Sequence, residues 1–174
     1  YSGYLKNGYA PQFMQNALHL NNGNENFTET AYASGLSATE WSWAPLIADF
    51  DNDGNKDVYI TNGILGATND MDFISFIANE NIQKRLSKGM EKEDMTFINE
   101  IPKKHVPNYF FKNNGNQTFK NTTKDWLSET PSYSNGGVYA DLDNDGDLDL
   151  VVNNTNEKAF IIKNNTKEHF DSRN

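Results

Sequence analysis

Asp49-Phe50-Asp51-Asn52-Asp53-Gly54-Asn55-Lys56-Asp57 and Asp141-Leu142-Asp143-Asn144-Asp145-Gly146-Asp147-Leu148-Asp149 are two copies of one nine-residue pattern. In both copies acids stand at positions 1, 3, 5 and 9, and glycine at position 6. Carboxylates at alternate positions can converge on one hard cation, which takes roughly six to eight oxygen ligands. The glycine permits the sharp turn, and the carbonyl of position 7, Asn55 or Asp147, adds an oxygen. The expected ligands are Asp49, Asp51, Asp53, Asn55 and Asp57 for one Ca2+, and Asp141, Asp143, Asp145, Asp147 and Asp149 for a second. Without an ion the clustered carboxylates would repel one another.

An EF-hand shares the first half of this loop, but it needs a bidentate Glu at position 12 and a helix on each side. Position 12 here is Ile60 or Val152. The flanks Asp57-Val58-Tyr59-Ile60-Thr61 and Leu148-Asp149-Leu150-Val151-Val152 are β-branched and aromatic runs bounded by Asn-Gly and Asn-Asn, so each loop is expected to join two strands. Acidic turns that bind nothing are the bland alternative, since Asp, Asn and Gly are ordinary turn residues. Turn geometry alone, however, does not require alternate-position acids in two copies.

The repeat extends beyond the loops. Asn16, Asn21, Asn22, Gly23, Asn24, Phe27 and Asp49 recur 92 positions later as Asn108, Asn113, Asn114, Gly115, Asn116, Phe119 and Asp141. A third copy begins at Phe160-Ile161-Ile162-Lys163-Asn164-Asn165 and Phe170, 51 positions after the second. The basic unit is therefore 51 residues, and the first interval carries 41 more. Each unit holds an apolar run, an Asn-Asn-Gly-Asn turn, a short run from Phe27 or Phe119, a linker, a strand such as Pro45-Leu46-Ile47-Ala48, the acidic loop and a last strand. About four strands per unit, with turn signals between them, is the pattern of a β-propeller blade.

The expected architecture is mainly β: four-stranded antiparallel blade units at 16–63 and 108–154, the start of a third at 158–170, and a helical insertion at 64–107. In the insertion, Phe73, Ile74, Phe76, Ile77, Ile82 and Leu86 recur at helical spacing. Asn69 or Asp70 is placed to cap the start, and Lys84, Arg85 and Lys88 complement the C-terminal dipole. One helix is expected between Asp70 and Gly89, and a shorter one near Met95 to Ile101. Insertions into repeats gather on one face, often the face that meets partners.

At 174 residues the chain is too short for a closed propeller of four or more blades, so an open fragment of a longer protein is expected. The net charge of −9 argues against a nucleic-acid or anionic-membrane surface, and no apolar run is long enough to span a bilayer. Cysteine is absent, which excludes disulfides, thiolate metal sites and Cys nucleophiles.

The loops resemble those of the FG-GAP or VCBS repeats, the blades of integrin α-chain propellers and of many secreted bacterial proteins. So do Asn16-x-Leu18-x-x-Asn21-Asn22-Gly23-x-x-x-Phe27 and the lead-ins Trp41-Ser42-Trp43-Ala44-Pro45 and Ser134-Asn135-Gly136-Gly137. More closely, the chain resembles bacterial proteins that pair such repeats with an ASPIC/UnbV domain, relatives of cartilage acidic protein. The resemblance implies calcium ligands at Asp49, Asp51, Asp53, Asp57, Asp141, Asp143, Asp145 and Asp149, and a role in adhesion, recognition or scaffolding. Calcium loops of millimolar affinity fill only where calcium is abundant, so an extracellular, cell-surface or periplasmic setting is expected. The partner is then another protein or the remaining blades.

No enzyme is expected. A catalytic metal keeps an open position and a nearby base, whereas these loops supply most of their ion's oxygens themselves. His19, His105 and His169 show no nucleophile–base spacing, and Ser134 reads as a turn hydroxyl. Two other readings are a glycan-binding module, with Trp41 and Trp43 as a stacking platform, and a non-catalytic part of a secreted hydrolase. Against the platform, Trp41 and Trp43 share strand parity, and one buried face would account for them equally well.

Overall fold

A computed structural model of the chain describes residues 2–8, 14–68, 70–87, 89 and 101–166. The chain divides into two compact units, Tyr1–Thr39 and Glu40–Asn174. The first holds helix α1 (Ser2–Lys6), strands β1 (His19–Gly23) and β2 (Asn26–Glu29), and helix α2 (Ala31–Ser34). Strands β1 and β2 form an antiparallel hairpin in which Gly23 faces Asn26. Its two loop residues, Asn24 and Glu25, both have positive φ, at 51° and 62°. That is the turn whose twist matches paired strands, and it explains why Asn follows Gly here. Glu29 accepts the Ala31 N–H at 2.7 Å, tying the hairpin to α2.

The second unit carries the remaining strands in two antiparallel sheets. One runs in the order β3 (Ser42–Ala48), β4 (Asp57–Asn62), β5 (Tyr109–Asn113), β6 (Phe119–Asn121); the other in the order β7 (Ser134–Ala140), β8 (Asp149–Asn154), β9 (Phe160–Ile162). Among the described residues no sheet closes on itself, so the chain is mainly β and open, as the blade pattern requires. Each acidic loop joins two neighbouring strands, β3 to β4 and β7 to β8. The sequence repeat and the sheet are out of phase. Strands β3 and β4 come from the first repeat, but their sheet is completed by β5 and β6 from the second.

Every residue of β4 is buried. Val58, Tyr59, Ile60 and Thr61 suit a central strand covered on both faces. Strand β7 lies against β3 and β4, and Phe50, Tyr59, Phe110, Leu150 and Val152 form the core between the sheets. Phe110 is its hub, meeting Phe50 edge-on at 5.1 Å, Tyr59 at 5.5 Å, and Trp126 of the short helix α5 (Thr123–Trp126) at 4.8 Å. Edge-to-face contacts of this kind add to simple burial because ring edges and faces carry opposite partial charge.

The insertion begins and ends as a zipped pair. Ile64 and Lys104 exchange backbone hydrogen bonds at 3.0 and 2.9 Å, and Ala67 donates to Pro102 at 2.7 Å. The expected single helix is in fact two, α3 (Met71–Ile77) and α4 (Glu80–Leu86). Asp70 caps α3, accepting from Asp72 and Phe73, and an ion pair to Lys104 at 3.3 Å holds it in place. The break at Ala78-Asn79 arises because the Asn79 side chain accepts the Asn81 N–H at 3.0 Å and so starts a new helix. In the apolar stripe Phe73 is buried, Ile77 and Ile82 are half-buried, and Ile74 and Phe76 are exposed. The helix expected near Met95 to Ile101 lies, but for Ile101, outside the described residues, as do Asn69, Lys88 and Phe170.

Gly63, where β4 hands over to the insertion, has φ of 102°, and a Cβ there would lie 2.2 Å from the Ser132 carbonyl oxygen and 2.9 Å from that of Lys104. Gly63→Ala is expected to cost about 3 kcal/mol or more, from strain and backbone collision together. At Gly136 a Cβ meets nothing within 4 Å, so Gly136→Ala should stay within about 0.5 kcal/mol. Urea-denaturation midpoints of the two variants check the contrast. Asn79→Ala should loosen α4 by about 1 kcal/mol, seen as faster amide exchange at Asn81 to Gln83 with the sheets unchanged.

Candidate metal centre

Two acidic clusters repeat one geometry. Asp49, Asp51 and Asp57 each offer an oxygen within 4.8 Å of the others', and so do Asp141, Asp143 and Asp149. These are positions 1, 3 and 9 of the expected ligand sets. The loops are folded around their own carboxylates. Position 1 accepts two N–H groups: Asp49 takes Asp53 at 3.1 Å and Gly54 at 2.9 Å, and Asp141 takes Asp145 at 3.1 Å and Gly146 at 3.0 Å. Position 5 accepts the N–H of position 7, with Asn55 to Asp53 at 2.8 Å and Asp147 to Asp145 at 2.9 Å. The bends that aim these donors lie at positions 4 and 6, where Asn52, Gly54, Asn144 and Gly146 have φ of 57°, 89°, 63° and 93°. Glycine reaches this region freely, and Asn is among the few other residues that do.

Position 9 starts the strand after the loop and is buried in both copies. Asp57 accepts the Phe50 N–H at 3.2 Å and the Asn113 N–H at 2.9 Å; Asp149 accepts from Leu142 at 3.0 Å and Asn164 at 2.8 Å. Burial pushes the Asp57 carboxyl above the ordinary carboxylate range, the Asn113 and Phe50 N–H groups oppose this, and the charges of Asp53 and Asp49 add to it. At the second loop the Lys163 ammonium beside Asp143 holds that carboxyl below the usual range. The donor set is all oxygen and hard, which suits calcium. Asp51 Oδ1 is buried and, among the described residues, has no hydrogen-bond partner. A buried acceptor left open is costly, and a cation would satisfy it.

The remaining expected ligands sit beside these trios with other engagements. The position 5 carboxylates, together with those of position 3, face lysines: Lys112 Nζ donates to Asp51 Oδ2 and lies 2.8 Å from Asp53 Oδ2, and Lys163 Nζ lies 2.8 Å from Asp143 and 3.6 Å from Asp145. At position 7 the Asn55 amide donates to Asp53 at 3.0 Å. The Asp147 side chain is fully buried and accepts from Asn52 of the other loop at 2.6 Å. Asn164 adds a second link between the loops, donating from Nδ2 to the Phe50 carbonyl at 2.6 Å while its own N–H serves Asp149.

Sequence reasoning missed Asn52, Lys112, Asn113, Lys163 and Asn164. The signal was present, since Lys112-Asn113-Asn114 recurs as Lys163-Asn164-Asn165, but the Asn pair reads first as a turn. Ser134 corrects the turn reading. It opens β7, is fully buried, and bonds to Ser132 at 2.7 Å, Asn108 at 2.9 Å and Asn154 at 2.6 Å. His105 pairs with Glu157 at 2.9 Å, and His169 lies outside the described residues. Trp43 is 47% exposed with its indole N–H bound to the Gly63 carbonyl at 2.8 Å, while Trp41 is half-buried. Among the described residues no helix is long and apolar enough to cross a membrane.

The sequence matches the FG-GAP-like repeat over residues 9–60 and 93–152, two segments that contain both acidic loops and skip most of the helical insertion. Among curated proteins no sequence relative is found. The matched segments take in well over half of the residues, and their repeated loops and flanking strands are those just described: the chain belongs to the FG-GAP-like repeat family.

Proposed function

We propose that this β-propeller-like repeat module binds one calcium ion at each acidic loop and serves recognition, adhesion or scaffolding in a larger protein that works outside the cytoplasm, secreted, at the cell surface or in the periplasm. The observation that carries the calcium reading is the twice-built trio of carboxylates, with the buried, unpartnered Asp51 Oδ1 turned to no protein donor. Asp49, Asp51 and Asp57 would hold one ion, and Asp141, Asp143 and Asp149 the other, with Asp53, Asp145 and the carbonyls of Asn55 and Asp147 as the further oxygens available. The ion would add a double positive charge among the clustered acids. The role is structural, because positions 1 and 9 already commit their oxygens to backbone N–H groups and leave little room for substrate. The extracytoplasmic setting and the kinship with ASPIC/UnbV-bearing proteins rest on the sequence resemblance and on the abundance of calcium outside cells.

Calorimetric titration with CaCl2 is expected to show two sites, with MgCl2 competing poorly because magnesium prefers a smaller octahedral shell and keeps its waters. At about one hundred times the dissociation constant each ion adds about 2.7 kcal/mol, so chelation should lower the melting temperature by roughly 5–10 °C per site. Absence of both the heat and the melting shift at millimolar calcium would remove the calcium reading.

Asp51→Asn and Asp143→Asn keep side-chain shape and delete one ligand charge. Each should weaken calcium at its own loop by about tenfold or more and leave the other site within the same order. A variant that alters both sites equally, or neither, would show that these residues are not the ligands.

A further inference from the structure

Lys112 and Lys163 occupy the same place in successive repeats, 51 residues apart, one on β5 and the other directly after β9. Each reaches back over the acidic loop before it and sets its ammonium on positions 3 and 5: Lys112 on Asp51 and Asp53, Lys163 on Asp143 and Asp145. The placement is supported. The Lys112 side chain is 32% exposed, and its Nζ stands 5.7 Å from the Trp126 ring centroid. That ring packs against the core cluster, so the lysine charge is favoured over an aromatic face that the fold holds in place. A single exposed ion pair contributes little. One ammonium shared between two carboxylates, in a loop that gathers four or five acids within nine residues, relieves a larger repulsion.

The carboxylates held by the lysines are those that a cation at the same loops would draw on. Asp51 and Asp143 belong to the two trios, and Asp53 and Asp145 stand next to them. We propose that Lys112 and Lys163 are tethered counter-cations: in the metal-free protein each neutralises positions 3 and 5 of its loop, and calcium binds by displacing it. The inference rests on the calcium reading above. It gives both loops a folded metal-free state. It also sets calcium affinity lower than the carboxylates alone would provide, because the ion must first break the ammonium–carboxylate pairs that it replaces. Each lysine faces positions 3 and 5 of the loop that precedes it.

The test uses the full chain with Lys112→Met and Lys163→Met, which keep the aliphatic stem and remove the charge, and Lys112→Arg, which keeps the charge. Calcium chloride titration by calorimetry and melting in excess chelator are measured on each. Each Met variant should bind calcium about tenfold more tightly at its own loop, the equivalent of one charge-assisted hydrogen bond. It should also melt lower than the natural chain in chelator and rise further on calcium addition. Lys112→Arg should stay near the natural affinity. Unchanged or weaker calcium binding in the Met variants, with uptake by the natural chain intact, overturns the counter-cation inference and leaves the calcium reading standing. Uptake by the Met variants alone supports the inference and shows that the lysines close the natural sites. No uptake by any variant removes the calcium reading and this inference with it. Should Lys112→Met fail to fold in chelator yet fold in calcium, that is the expected direction carried further, and Lys163→Met supplies the affinity comparison.

Discussion

The constraint on which this structure depends is the mutual repulsion of carboxylates crowded into short loops between neighbouring strands. Three acid oxygens within 4.8 Å of one another cannot be held by the chain unless something positive is turned toward them. The fold meets this with backbone N–H groups: two on position 1 and one on position 5, aimed by left-handed residues at positions 4 and 6, and two on position 9, one from position 2 of the loop and one from beyond it. Because position 9 is also the first residue of β4 or β8, and is buried there, the loop and the sheet cannot be formed separately. Asn113 and Asn164 close the arrangement from the adjacent strand or just after it, so the third element of each sheet takes part in shaping a loop it does not contain.

Much of this could be read from residue order alone. The two nine-residue patterns carry their own spacing, and the residues after them are β-branched and aromatic, so the loop-between-strands arrangement follows from local chemistry. The internal repeat then supplies strand number without reference to tertiary structure. The phase of the sheets could not be read. A period shows that strands recur, but not that β5 leaves its own repeat to pair with β4, because that choice depends on which ladder buries β4 on both sides. The break between α3 and α4 was hidden for another reason. Asn79 sits at a position that helical spacing allows, and only its side-chain bond to Asn81 shows that it starts a helix instead of continuing one. Lys112 and Lys163 were overlooked because a lysine beside an Asn-Asn turn reads as surface.

Polar groups also tie the ends of the strands far from the loops. Asn108 accepts the Asn62 N–H at 2.8 Å and donates to Ser134, which donates to Asn154, while Ser132 shares the Ser134 hydroxyl. All five residues are buried. Removing one member would leave buried polar partners open, so the network fixes which strand ends meet. It therefore does for the strand ends at β4, β5, β7 and β8 what the acidic loops do at their other ends. The aromatic core between the sheets is clamped from both sides by polar chemistry.

The mismatch between repeat and sheet bears on how such a chain can be divided. A cut within the insertion, where the sequence period would place a border, would part β4 from β5 and leave a strand buried over its whole length with one ladder of N–H and C=O groups unpaired. An open, apolar edge of that kind invites pairing with the same edge on another molecule. Recombination or truncation of this protein by units would therefore have to follow the hydrogen-bonded sheets, with breakpoints in the linkers between β2 and β3 and between β6 and β7, where no sheet ladder is severed.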